Sequence, residues 1–428
     1  PLMRENGGGV NATINGVSIG KGANSVAGNT VLGESALDAS VTGANNTAIG
    51  KDTLTLLTSG GNNTAIGSEA LEDNTTGSFN VAIGRQALKD NTTASNNIGI
   101  GRAALGLNTT GTQNVAVGAL ALDANTTANN NTAVGYNSLT ANTTGGDNTA
   151  VGRNALLANT TGTALNAMGV NALDANTTGD NNVAIGNSAL SANTTADNNT
   201  AVGRSALAVN TTGGANVAVG SLALDANTTA DANTAIGQEA LSANTTGQTN
   251  TAVGANCLDS NTTASNNTGV GYLALRSNTT GASNTAVGAQ AGDAITTGAG
   301  NVALGLGSLS SITTTNSNTA LGHNAMQLGS GGAECVAVGS TALQDNTASQ
   351  NTAVGSQCLK ENTSGADNVG IGFQAMDANT TGSNNTAGGT GALGQNTTAS
   401  NNTAFGYIAL TANTTGASCT AVGANTLQ

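Results

Sequence analysis

The sequence predicts an all-β fold, a parallel β-solenoid of the β-roll or β-helix kind built from 17-residue coils, and three observations lead to it. A glycine in the phrase Ala-Val-Gly or a close variant recurs at 33, 50, 67 and onward to 339 at a constant 17-residue spacing. After one 16-residue step it continues at 355, 372, 389, 406 and 423. These 24 anchors share one register, and self-similarity at a fixed short period marks an array whose units rest on their neighbours. β-Branched residues hold a fixed phase before every anchor but Gly169, and a polar Asn-Thr-Thr phrase follows most of them. A unit this short cannot enclose a core alone; stacked at about 4.8 Å per rung it can.

Residues 1–32 fall outside the period, with Gly-Gly-Gly at 7–9 and Ser-Ile-Gly at 18–20, and read as an irregular lead-in or divergent first coil. Residues 33–428 read as one continuous array, least regular over 289–334. At 428 residues an ordinary chain would suggest two or three domains, but a uniform repeat overrides that prior.

Three residues before the anchor stands Thr, Val or Ile, except at Asn166. One before it stands Val, Ile, Leu, Met or Phe, except at Gly388. Such residues favour extended backbone, and period-2 alternation puts the two columns on one face. That face is expected to be interior, with Val219 and Ile236 as core residues. Between the two columns, every coil after Val31 carries Ala or Gly. Uniform smallness suggests the close approach of another chain, so Ala218, Ala235 and Ala252 are expected to pack against neighbouring chains.

Four after the anchor comes Leu, replaced only by Gly292, Met326 and Met376. Leu224 and Leu241 therefore join the expected core, on a second short strand or bend. Seven after the anchor stands the Asn of Asn-Thr-Thr, unbroken from Asn74 to Asn278. Asn suits turns, and stacked Asn side chains form ladders. Asn210, Asn227 and Asn244 are expected to form such a turn ladder. About three medium apolar groups per coil make a thin core, and three Ala/Gly faces meeting about an axis would remedy it as a homotrimer.

Two other classes are set aside. Low charge with 61 Gly resembles disorder, but a disordered tract has no reason to keep an apolar phase for 24 cycles. Repeated Asn-Thr-Thr-Gly would break any helix of useful length.

Net charge is −13 with ten Lys and Arg, which gives no footprint for nucleic acid or anionic membranes. No 18-residue apolar run suggests membrane insertion, and no charged-then-apolar leader is visible. The start at Pro1 suits a processed or partial segment. Cys257, Cys335, Cys358 and Cys419 sit coils apart, too far for internal disulfides.

No catalytic set, cofactor or metal site is expected. His323 is the sole histidine and stands at a variable, solvent-facing position. Gly99-Ile-Gly101 and Gly269-Val-Gly271 superficially match phosphate loops but lack the strand-to-helix context. Asp123, Asp174, Asp225 and Asp259 recur five after an anchor; they read as solvated acids, with Ca²⁺ the alternative. The Asn-Thr-Thr turns match the N-glycosylation sequon. Tyr136, Tyr272, Phe373 and Tyr407 each follow an anchor, on outward positions where sugar contact is the functional alternative to isolated exposure. The stretch from Ala289 to Glu334 loses Leu at Gly292 and turn Asn at Ile295, Ile312 and Gly329. It is the first candidate for a lateral binding patch.

At Asn-Val-Ala-Ile-Gly, 80–84, the unit resembles the Ser-Val-Ala-Ile-Gly repeat in the head of trimeric autotransporter adhesins. The phrase Asn-Thr-Ala-Val-Gly-Tyr-Asn-Ser-Leu-Thr-Ala-Asn-Thr-Thr-Gly, 131–145, is similar to arrays in bacteriophage tail-fibre proteins. The resemblance covers about residues 30–428. It implies a left-handed β-roll packed as a homotrimer, with a chaperone or anchor segment elsewhere in such proteins; adhesin-head repeats are usually shorter than these.

The expected function is that of a non-enzymatic fibre protein, the shaft of an extracellular or virion filament presenting an adhesive tip. Its partners would be itself, as a homotrimer that also joins end to end, and a cell-surface glycan or protein receptor. A trimeric adhesin head binding host matrix or glycans is the alternative. An ice-binding solenoid ranks third, because its Thr residues are expected in a turn and in an inward strand column.

Overall fold

The computed structural model describes residues 11–329 and 331–427. The Gly-Gly-Gly part of the lead-in, Ser330 within the irregular stretch, and Gln428 lie outside the described residues. The chain divides into two compact units, Pro1–Gly214 and Ala215–Gln428, and both are all-β.

In the first unit, β1 (Ala12–Ile14) and β2 (Val17–Gly20) form an antiparallel hairpin, and β2 runs antiparallel along β3 (Thr30–Gly33). The lead-in therefore covers the outer edge of β3, a common way to protect an otherwise open strand. From β4 (Thr47–Ile49) to β13 (Thr200–Val202), each coil contributes one three-residue strand. These pair in parallel with one-coil register, as in Thr64 beside Val81 and Ile66 beside Ile83.

The second unit holds β14 (Val217–Val219) to β26 (Thr420–Val422), again parallel and in register. The 16-residue step leaves this register intact, with Val336 beside Thr352. One residue is lost at the corner instead, where Asn346 Nδ2 reaches the Ala348 carbonyl two residues on, against three on for Asn362 and Gly365.

The stretch after the anchor is a bend rather than a second strand. Anchor Gly237 has φ +136°, and a Cβ there would stand 2.5 Å from the Gly254 carbonyl oxygen. Only glycine combines that backbone with that approach. Glu239, Leu241 and Thr249 also take positive φ, near +55°, at a cost of roughly 1 kcal/mol each. Hydrogen bonds between coils all round the perimeter offset this, among them Glu239 N to Ser221 O, Leu241 N to Cys257 O, Thr245 N to Thr262 O and Thr251 N to Asn267 O.

The interior of a coil is filled by Ala235, Ala240, Leu241, Asn244 and Asn250, all essentially without exposure. Leu224 is likewise fully buried. Two of the expected assignments are inverted. Ala218, Ala235 and Ala252 lie inside their own coils and are inaccessible to another chain. Val219 and Ile236 point outward, Val219 half-buried and Ile236 40% exposed. The physical reason is width: with Leu and two Asn already inside, the inward strand position admits only a methyl group or a hydrogen. Gly269 marks the limit, since a Cβ there would stand 2.5 Å from Cys257 Sγ.

Among its described residues the irregular stretch changes the core, and it also exposes Leu306 and Leu328. Gly292 lacks the Leu side chain, and Ile295, fully buried, stands beside the gap. Ile312 is also fully buried where other coils place Asn.

Candidate functional site

The feature that the fold presents outward is the strand face formed by the columns three before and one before the anchor. In the second unit this face runs Thr234 and Ile236, Thr251 and Val253, Thr268 and Val270, Thr285 and Val287, each pair stacked on the next by parallel pairing. Ile236 and Val287 are each 40% exposed and Ile371 51% exposed. The first unit repeats the arrangement with Ile83, Val134, Met168 and Ile185. Strand backbone groups are spent on neighbouring coils, so the face offers side chains alone: a ribbon of β-branched apolar groups edged by Thr methyls and hydroxyls. Soluble monomers seldom expose a contiguous apolar patch beyond a few hundred Å².

Phe405 adds a local detail to this ribbon. It pairs beside Gly388, the one coil without a large residue in its column, and its ring lies over the glycine, with Cε1 2.7 Å from where a Cβ would stand. The aromatic thereby covers the gap that glycine leaves.

Asn210, Asn227 and Asn244 are fully buried and bonded inside the coil. Asn244 Nδ2 donates to Asn227 Oδ1 at 3.2 Å and to the Gly247 carbonyl at 2.9 Å, while its own Oδ1 accepts from Asn261 Nδ2 at 2.9 Å. Asn210 Nδ2 donates to Asn193 Oδ1 at 3.2 Å and to the Gly213 carbonyl at 2.9 Å. Since the amide nitrogens are committed and unexposed, folded coils offer no acceptor for glycosylation at these Asn-Thr-Thr positions.

A second ladder stands four before the anchor. Asn250 N donates to Asn233 Oδ1 at 2.9 Å and Asn250 Nδ2 to the Ala264 carbonyl at 2.8 Å. Its sequence signal is the constancy of Asn in that column, broken only by Leu165, Cys335 and Cys419. Buried amides are tolerable when bonded, and Oδ1 of most rungs accepts from the backbone N of the next, as Asn250 Oδ1 does from Asn267 N at 3.0 Å, while Asn267 Nδ2 and Asn402 Nδ2 are buried without a partner. Between the ladders the first Thr of the turn is tied down as well, Thr245 Oγ1 donating to the Thr262 carbonyl at 3.0 Å, while the second, Thr246, is exposed.

The remaining candidates do not converge. His323 is exposed. Gly99 and Gly269 are buried strand positions facing the interior. Asp123, Asp174 and Asp259 are half-buried rather than freely solvated, and burial raises each carboxyl above its ordinary value; Arg102 opposes this at Asp123. Among the described residues, no group of three or more His, Cys, Asp or Glu side chains comes together to hold a metal. Cys257, Cys335 and Cys358 are buried free thiols, and Cys419 is half-exposed. Tyr136, Tyr272, Phe373 and Tyr407 are exposed, as the sequence places them. No helix of the described residues is long and apolar enough to cross a membrane. No protein-family model and no curated protein sequence matches this chain.

Proposed function

We propose that the chain is a structural fibre protein, the shaft of an extracellular or virion filament, in which copies pack through the outer strand face about a common axis as a homotrimer. The observation that carries this reading is the outward apolar ribbon centred on Ile236, Val253 and Val270. Its groups recur once per coil, so a partner that matches them over many rungs must repeat at the same spacing. A second copy of this chain has that spacing by construction, and most soluble oligomers are homo-oligomers of closed symmetry. The ribbon is only two side chains wide, which suits three narrow faces converging on an axis. The adhesin-head repeats that the sequence resembles imply a homotrimer as well. Catalysis has no part in the proposal; the shaft works by holding its shape and projecting what lies at its tip.

Replacing Ile236 by Cys and treating the chain with a short bismaleimide tests the packing. Covalent species of two and more chains are expected. Uncoupled single chains under conditions that label the thiol would count against it.

A second reading, an ice-binding surface, gains from one observation: strand Thr residues such as Thr251 face outward, contrary to the sequence expectation, and Thr229, Thr246, Thr263 and Thr280 form an exposed row with one residue per rung. Rung spacing of about 4.8 Å gives that row a regular hydroxyl array. A thermal-hysteresis assay without activity would dispose of it. The adhesin-head reading shares the shaft's packing and differs in placing receptor contacts on the array itself.

A further inference from the structure

Five residues after the anchor, the bend carries an outward side chain in nearly every coil: Asp, Ser, Thr, Glu, Lys, Gln or another residue with a side chain. Glycine stands there only at Gly106 and Gly394. Each missing side chain opens a notch spanning three coils, of about 380 Å³ around Gly106 in the first unit and about 430 Å³ around Gly394 in the second. Both fall within the range of small-molecule sites, roughly 300–1,000 Å³.

The two notches share a position in the coil and differ in chemistry. At Gly394 the coil is doubly bare, because Gly391 also lacks a side chain in a column where the preceding coil carries Gln374. Asp377 Oδ1 and Thr411 Oγ1, from the coils on either side, each lie 3.4 Å from where a Gly394 Cβ would stand. An acceptor and a hydroxyl thus flank the empty space. Gln374, Gln395 and Thr390 complete a polar rim, and Tyr407, 58% exposed, supplies an aromatic side chain at the edge. Asp377 is the one charged residue of the lining. The Gly106 notch instead carries Lys89, Arg102, Asp90 and Asp123, with no aromatic.

We propose that the Gly394 notch is a binding site for a neutral hexopyranose, its ring stacked on Tyr407 and its hydroxyls shared among Asp377, Thr411 and the glutamine carboxamides. A sugar ring offers one apolar face and a circumference of hydroxyls that both donate and accept. An aromatic beside mixed carboxylate, carboxamide and hydroxyl groups matches both features. A cation is poorly served by a single carboxylate, and an anion meets no compensating positive charge in the lining. The site stands on its own geometry and does not rest on how copies of the chain pack.

Saturation-transfer NMR on the full chain with methyl glucoside, methyl galactoside and methyl mannoside tests the proposal. At least one should give a saturable signal. Gly394→Gln restores a side chain that the same column already carries at Gln327 and Gln344, and should weaken that signal about tenfold, or 1.4 kcal/mol. Gly394→Ser, which copies Ser191 and Ser242 of the same column, is the milder filling should the first variant unfold. Tyr407→Ala should weaken binding as much, and Tyr272→Ala, outside any such notch, should leave it unchanged. Absence of saturable binding by all three glycosides, equal binding after Gly394 is filled, or stronger binding of a sialic acid glycoside would each overturn the proposal.

Discussion

Ile295 Cδ1 lies 3.0 Å from where a Cβ on Gly292 would stand, so the isoleucine fills space that a leucine four after the anchor occupies in other coils. The exchange has a cost in the neighbouring coil. Asn278 donates to Asn261 Oδ1 at 2.8 Å, but its own Oδ1 is buried without a donor, because Ile295 stands where the next ladder amide belongs. Gly292→Leu alone should overpack this coil and destabilise by about 1–3 kcal/mol. Ile295→Asn alone should leave a cavity and cost about 2–5 kcal/mol. The double variant rebuilds the regular coil, returns a donor to Asn278, and should be more stable than either single one. Denaturant melts of the four proteins check this; strictly additive losses would contradict it.

Cys257 and Cys358 occupy an interior column otherwise held mainly by Ala, each facing a glycine, Gly269 and Gly370. Burial pushes both thiols up from an ordinary 9.0 to about 12. At pH 8 a disulfide reagent should therefore modify half-exposed Cys419 first and leave these two until unfolding. The unfolded thiols ionise above about pH 9 while the folded ones keep their protons to about 12, so stability should fall as pH rises through that window. Melting temperatures of wild type and of a Cys257→Ala, Cys358→Ala double variant measure this. The variant should lose less between pH 8.5 and 11; equal losses would refute the assignment.

The half-buried acids act in the same sense at the other end of the scale. Burial is the leading cause that raises the carboxyls of Asp90, Asp123, Asp174, Asp259, Asp293 and Asp377 above their ordinary 3.8. The folded chain then takes up protons at a higher pH than the unfolded chain. Stability should rise as pH falls from neutral into the carboxylate range, with the full gain reached below 3.8. Relief of a net charge of −13 works in the same direction. A melting temperature that drops between pH 7 and pH 4.5 would be the contrary result.

Neighbouring strand positions should respond oppositely to substitution. Ala235→Leu forces three carbons into a filled interior and should destabilise by at least 1–3 kcal/mol with loss of local β structure. Changing Ile236, Val253 and Val270 together to Asp places charge on the outer ribbon instead. Circular dichroism should stay that of a β-solenoid while self-association weakens. If the outward triple change unfolds the chain and Ala235→Leu does not, the assignment of the two faces is wrong.

The repeat, its period and the solenoid are legible in the sequence because a 17-residue phase kept for 24 anchors leaves few other folds. The direction in which the strand faces is harder to read, because size alone assigns large β-branched residues such as Ile236 to the core. The better signal lies in tolerance. The column of Ala218 admits only Ala or Gly after Val31, as an interior of fixed width requires, whereas that of Val219 admits Met168, Gly388 and Phe405. The Asn column of Asn244 is legible as a ladder from its turn phrase, but its partner column at Asn250 looks in sequence like a mere strand flank. The notch at Gly394 has a sequence mark, a bare position in an otherwise filled column, whose meaning emerges only when Asp377 and Thr411 are stacked on either side of it.

If further copies of the chain cover the outer ribbon as proposed, sedimentation equilibrium across a range of concentrations should give a species of three chains, each of 41.0 kDa. A single species at the mass of one chain, held at every concentration, would contradict it.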